Sequence, residues 1–502
     1  MRASQAIIGE KQRAQSLHAQ LFRLLYTVCS GLLVFFLLCS YSGVLRMSDR
    51  LCLEVTVVTA LMTVLYCARD LSSRFILLCF NVTFFVFLVG GLWINNMDGG
   101  SAASYLGVSG YAATHTVHVL PVSLLTVNTV FILMEKPSRS VLERRKKTAD
   151  AFRRPEVLPT LTRQIILVIF LVALAGKLMG ALIQYRFMQG NNYIESYVTN
   201  LNKPIYVWLP ESIFYFSLCL WLATNPSKKM FWLLMVPVLI TEGIILLSGD
   251  RAEPVCALLM LCFYVYRRGK TDEHFFHVRK RHVVLVLTVL PLFIVLLQVV
   301  SYVRMHKQVD VDAHMLLEFV EDQGVSAGVI GKAYVVRDSI RAISSSSYTF
   351  GSLRGYIKHN MLTRVLFDTA ALSNNTIEAA LSGDSLGSTL AYLWIPQSYL
   401  QGVGCGSSYI AELFHDGGIG VLIFGNGVLA AVLILLTRIF QKEQGTFPMA
   451  FALLAFKGII IVPRTNSFHW LTSVLSAQNL LVLLVLLLIT RLIRNRERRE
   501  TA

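Results

Sequence analysis

Three short stretches carry residues whose types and spacing suit holding a phosphate and taking a proton from a hydroxyl. The turn "SGDRAEP", Ser248 to Pro254, sets Arg251 between Asp250 and Glu253. A guanidinium there presents a fixed fork of donors that matches phosphate oxygens better than an ammonium does. The alternative is an arginine merely neutralised by its two acidic neighbours. A second turn, "VPRTNSFHW", Val462 to Trp470, offers Arg464, Asn466, Ser467 and His469, with Phe468 and Trp470 also suited to anchoring at a membrane interface. The third stretch, "GSSYIAELFHDGGIG", spaces Tyr409, Glu412, His415 and Asp416 so that one helix face carries all four. Glu412 and Asp416 are candidates for a general base and His415 for a base or donor, because taking a proton from a hydroxyl needs a positioned group of suitable pKa. The plainer alternative is a helix ended by "DGG" with Gly417 as its cap.

A basic surplus lies between positions 332 and 364. Lys332, Arg337, Arg341, Arg354, Lys358 and Arg364 face a single acid, Asp338. Arg337 with Arg341, and Arg354 with Lys358, are spaced to share helix faces, so the segment asks for an anionic partner such as a lipid phosphate or diphosphate. Asp310, Asp312 and His314 alternate as metal ligands on extended chain would, but such spacing is common by chance and no metal is expected.

The elements that must position these residues are membrane helices. Of 502 residues, 55% are hydrophobic and only 15% charged, which excludes a soluble protein. Apolar stretches near 24–44, 51–68, 75–94, 115–134, 164–184, 207–224, 230–248, 254–266, 283–303, 419–439, 449–463 and 471–490 predict an all-α polytopic protein of about twelve spans. With the N-terminus inside, inner segments hold 30 Lys and Arg against 14 outside, so both termini are expected in the cytoplasm. The net charge of +16 is then a matter of orientation, and nucleic acid is not expected as a partner. The first span, which lacks a small-residue cleavage site, reads as a retained anchor. Eight of the nine cysteines lie in or beside apolar runs, which implies no disulfide framework.

These positions divide the chain into an N-terminal membrane bundle (1–303), a large outer loop between spans nine and ten (304–407), C-terminal spans (408–490) and a basic cytoplasmic tail (491–502). A loop of that length is functional or a small domain of its own. Glu54, Lys177, Glu211, Glu242 and Lys457 fall inside predicted spans, all leaning outward, which suggests a polar cavity open to the outer leaflet; snorkelling and a few Lys–Glu pairs are the alternative.

Together "GVGCGSSYIAELFHDGGIGVLIFGNGVL", "LLSGDRAEPV", "VPRTNSFHW" and the layout with one large outer loop resemble the Wzy-type oligosaccharide repeat-unit polymerases of bacterial surface polysaccharide. The resemblance implies a GT-C-like bundle in the bacterial inner membrane, working without metal or other cofactor. It implies transfer of a growing glycan from undecaprenyl diphosphate onto a lipid-linked repeat unit, at the outer face, among membrane lipids, with a chain-length co-polymerase and a flippase as partners. One departure stands: no outer arginine begins the Arg-x10-Gly spacing of some members, so roles tied to it do not carry over.

The leaving lipid diphosphate needs cations aimed at it. Arg251 and Arg464 are the first choices. Glu412 leads as base, with Glu253 and His415 behind. Arg337, Arg341, Arg354, Lys358, Arg364, His469, Asp416 and Tyr409 are expected to bind diphosphate or glycan. The rival readings are a ligase moving finished polymer onto a lipid A core, and a transporter or flippase of lipid-linked sugars. The transporter fits the span number and embedded charges, but does not need a hundred-residue outer loop.

Overall fold

An apolar run with no water beside it must satisfy its backbone internally, and a helix does so within one segment. The computed structural model describes residues 2–45, 47–135, 158–190, 203–272, 274–276, 280–304, 314–368, 372–442 and 445–501, and no strand occurs among them. Each of the twelve predicted stretches falls on helix. They are α1 (Arg2–Tyr41), α2 (Asp49–Ala68), α3 (Leu71–Met97), α4 (Gly110–Met134), α5 (Thr160–Gly190), α6 (Ile205–Ser212) with α7 (Phe214–Ala223), α8 (Lys228–Leu247), α9 (Ala252–Thr271) and α10 (Lys280–Arg304). After the loop segment, described below, come the remaining three.

That segment folds into short helices, among them α11 (Met315–Gly324), α12 (Gly328–Val335), α13 (Arg337–Ile343) and α14 (Gly351–His359). It is not set apart from the bundle. Ala327, Ile330, Ile340, Leu386 and Leu390 belong to the same buried cluster as the long helices. α11 lies against α3, where a Cβ on Gly324 would meet Gly91 Cα at 2.9 Å, and the Tyr105 hydroxyl donates to Glu321 O at 2.6 Å. Glycine allows that backbone approach because nothing projects from either side.

The chain closes with α15 (Tyr409–Gln441), α16 (Thr446–Ile459), α17 (His469–Val474) and α18 (Ala477–Thr501). Among the described residues, eight helices are long and apolar enough to cross a membrane, and the α6–α7 pair, bent by 45°, makes a ninth. The other three stretches fall short. α9 carries Glu253, Arg267, Arg268 and Lys270 in its 20 residues, the apolar part of α10 is Thr288–Val303, and α16 has 14 residues.

α15 is two pieces. Gly417 is extended (φ −168°) and Gly418 left-handed (φ 63°, ψ −151°), so the chain reverses there. The expected cap, Gly417, is thus displaced by one residue. Leu413 then packs against Gly425, and the Tyr409 hydroxyl donates to Asn426 Oδ1 at 3.1 Å. Contacts between residues twelve and seventeen apart require a hairpin, so 409–416 doubles back along the apolar 419–441.

At the basic end of the bundle, arginines complete helix carboxyl termini. Arg438 donates to Met134 O at 3.0 Å, Arg267 to Phe440 O at 2.9 Å and Arg23 to Glu135 O at 2.8 Å. Cations there satisfy orphan carbonyls and oppose the helix dipole.

Candidate active site

The two arginines singled out from sequence, 213 positions apart, are tied to one helix pair. Arg251 Nη1 donates to Leu297 O on α10 at 3.3 Å, and Arg464 Nη1 donates to Gln323 Oε1 on α11 at 2.6 Å. Gln298, next to Leu297, donates to Asp322, next to Gln323, at 2.8 Å. The two turns therefore share a single α10–α11 brace. Arg464 also lies 5.6 Å from the ring centre of Phe87, in the π-helical turn Phe85–Val89 of α3. A π turn adds a residue to the helix and pushes a side chain out of the usual register, and such turns recur at functional sites.

Beside Arg251 the embedded charges meet. Lys177 of α5 donates to Glu253 at 2.9 Å and reaches Glu211 at 3.8 Å; Lys457 of α16 reaches Glu253 at 3.8 Å; Lys203 pairs with Glu211 at 2.7 Å. Tyr215 joins them, with Lys457 3.6 Å above its ring and its hydroxyl donating to Glu242 at 2.8 Å. Each such charge costs roughly 2.5 to 3.5 kcal/mol at a membrane centre when isolated, so pairing removes much of the penalty. The Lys–Glu pairs given as the alternative reading are therefore present, drawn from four helices, α5, α6, α9 and α16. Glu54 stands apart, exposed and paired with Arg50 at 3.0 Å. Burial, with the Glu253 charge next to it, holds the Asp250 carboxyl above its usual range.

The residues of the third stretch serve as anchors. Glu412 is fully buried; it accepts from Ser467 N and Ser467 Oγ at 2.8 Å each and from Ser407 Oγ at 3.2 Å. It thereby fixes the turn that carries Arg464. Asp416 accepts from Ser347 Oγ at 2.5 Å, Tyr348 N at 2.9 Å and Thr349 N at 2.8 Å, and so holds the loop ahead of α14. Buried Tyr409 closes the hairpin on Asn426. Arg354 and Lys358 both pair with buried Asp384, at 2.6 and 3.3 Å. The six-to-one charge surplus of 332–364 is thus reduced by an acid twenty residues further on.

His415, Arg337 and Arg341 line a small pocket with His115, Tyr334 and Phe414, roomy enough for about 20 Å³ of water. His115 stacks on Tyr334 with centroids 3.8 Å apart, and Nδ1 of both histidines is buried with no hydrogen-bond partner among the described residues. Arg341, Arg364 and His469 are exposed. Asp310 and Asp312 lie outside the described residues, so their spacing gains nothing from the structure.

A family model for the O-antigen polysaccharide polymerase Wzy matches residues 26–497, from the first apolar helix to the last. The chain belongs to that family. No curated protein and no solved structure matches it. As a Wzy-family member it is an integral membrane polysaccharide polymerase whose substrates are lipid-linked oligosaccharides.

Sequence reading did not single out Gln323, Asp384, Ser467 or His115 in these roles. His115 left a signal: together with His118 it interrupts an apolar run, where an ionisable residue needs a reason. The others are polar residues in polar stretches, and only their partners distinguish them.

Proposed function

We propose that this Wzy-family chain joins undecaprenyl-diphosphate-linked oligosaccharide repeat units by glycosyl transfer at the outer face of the inner membrane, with both termini in the cytoplasm. The observation that supports this reading most directly is the shared α10–α11 brace, which ties Arg251 and Arg464 to one helix pair, with the Lys–Glu cluster next to Arg251 through Glu253. Cleaving the sugar–diphosphate bond leaves negative charge on the lipid diphosphate. Two guanidiniums held by backbone and amide oxygens are oriented in advance to receive it, which is where electrostatic catalysis gains most. Arg251 and Arg464 take that role without a metal.

The attacking hydroxyl of the acceptor sugar gives its proton to a carboxylate as the new glycosidic bond forms and the diphosphate departs, with inversion at the donor carbon. Glu412 was the first choice from sequence, but its oxygens are occupied by three donors and it meets no solvent. Glu253 fits better. It is partly exposed, two residues from Arg251, and Lys177 and Lys457 favour its ionised form. His415 is the second choice, by its place in the pocket with Arg337 and Arg341. Arg354, Lys358, Asp416 and Tyr409 support the substrate-facing surface rather than contact the glycan. Arg341, Arg364 and His469 stay available to it. A chain-length co-polymerase and a flippase complete the assembly.

The test is a gel of surface polysaccharide from cells lacking the chain, complemented with wild type, Arg251→Ala or Arg464→Ala. Removing one preorganised donor typically costs about 10²–10³ in rate. A ladder reduced to core plus one repeat unit, restored by wild type but by neither variant at equal abundance, is expected. Normal ladders from both variants would remove the arginines from the reaction, and a deletion strain with an unchanged ladder would remove the chain from polymer synthesis.

A further inference from the structure

A second cavity, of about 720 Å³, opens between the amino ends of α5 and α16 and the basic end of α18. Leu158, Phe447 and Leu487 give it apolar walls, and Thr490, Arg491 and Arg494 line its polar side. Thr490 lies where the apolar run of α18 gives way to "RLIRNRERR", so the cavity sits at the depth where hydrocarbon meets headgroups. Its floor is fixed, because the Thr490 hydroxyl contacts Thr162 of α5 at 3.5 Å and donates to Leu486 O at 2.6 Å. Arg491 is exposed and makes no hydrogen bond or ion pair among the described residues. A space of this size, apolar on one side and guanidinium-lined on the other, matches an amphiphile with an anionic head. It is far larger than a free phosphate ion requires, and the membrane supplies anionic amphiphiles at high local concentration.

We propose that this cavity binds an anionic glycerophospholipid, its phosphodiester on Arg491 and Arg494 and its glycerol and upper chains against Leu158, Phe447 and Leu487. The amino end of α16, where Gly445 provides no capping side chain, opens onto the same space and adds a favourable dipole. The site does not depend on the polymerase reading. It would seat α18 and α16 on α5, and so couple the fold of the bundle to the charge of the surrounding lipid.

The test uses the full chain in detergent micelles, titrated with phosphatidylglycerol and phosphatidylcholine of equal chain length and read by native mass spectrometry. Wild type is expected to retain phosphatidylglycerol at least tenfold better than phosphatidylcholine. The pair Arg491→Gln with Arg494→Gln should lose that preference, since each basic group near a lipid surface is worth about 1 kcal/mol, or roughly fivefold. Arg491→Lys with Arg494→Lys, which keeps both charges, should retain it. Equal retention of the two lipids by wild type, or an undiminished preference in the glutamine pair, would overturn the proposal. So would displacement of the lipid by millimolar glycerol 3-phosphate, which would mark a soluble-phosphate site instead.

Discussion

At the scale of single residues, the difference between a base and an anchor decides what Glu412 does. As an anchor it needs only to accept hydrogen bonds from Ser467, which an amide oxygen also does. Glu412→Gln should therefore keep most polymerising activity, while Glu412→Ala leaves the part-buried Ser467 N–H and hydroxyl and the buried Ser407 hydroxyl without their acceptor, at about 1–3 kcal/mol for each that water does not reach, and should abolish it along with thermal stability. Equal and complete loss in both variants, with Glu412→Gln still folded, would return Glu412 to the role of base. Asp250 offers a second measurement. Its raised pKa means that the folded chain holds the proton more tightly than the unfolded chain, so its contribution to stability is fully present below the ordinary Asp range and is lost as pH rises through the shifted value. Asp250→Asn keeps an oxygen for the Ala252 and Glu253 amides. The melting advantage of that variant over wild type should grow from pH 4 to pH 7.5, and a constant difference would argue against the shift. These residues were visible as chemistry-bearing in the sequence because their types are rare next to apolar runs. Their roles were not, because Ser467 and Asp384 look like ordinary loop residues until their partners are known.

At the scale of elements, the reversal within α15 orders the site. One backbone angle makes it possible: Gly418 occupies a region that side chains avoid, at a cost of about 1–3 kcal/mol when they are forced into it. Gly418→Ala should lower the melting temperature and, by loosening the Glu412 and Asp416 anchors, reduce polymer yield. An alanine variant with unchanged melting and ladder would show that the hairpin is not needed. The twelve helical stretches were legible because long apolar runs leave few alternatives to helix. The hairpin was not, since "DGG" reads equally well as a helix end or a bend, and only the Leu413–Gly425 and Tyr409–Asn426 contacts distinguish the two.

At the scale of the whole molecule, orientation is the quantity to measure. If the basic loops face the cytoplasm, alkaline phosphatase fused after Gly402 should be active and a fusion after Thr271 inactive, with the reverse pattern from a reporter that works only in the cytoplasm. Matching activity on both sides would break the proposed topology. The sequence by itself determined the membrane class, the helical content, the charge bias and the motifs of the Wzy family, because these follow from composition and from local periodicity. Only the tertiary structure decided that Arg251 and Arg464 share the α10–α11 brace, that lysines and glutamates from five helices form one cluster, and that the segment after α10 is part of the bundle's core. Those facts depend on contacts between residues tens to hundreds of positions apart. Local pattern carries no information about which distant partner a buried charge will find, even though the cost of leaving it unpaired requires that it find one.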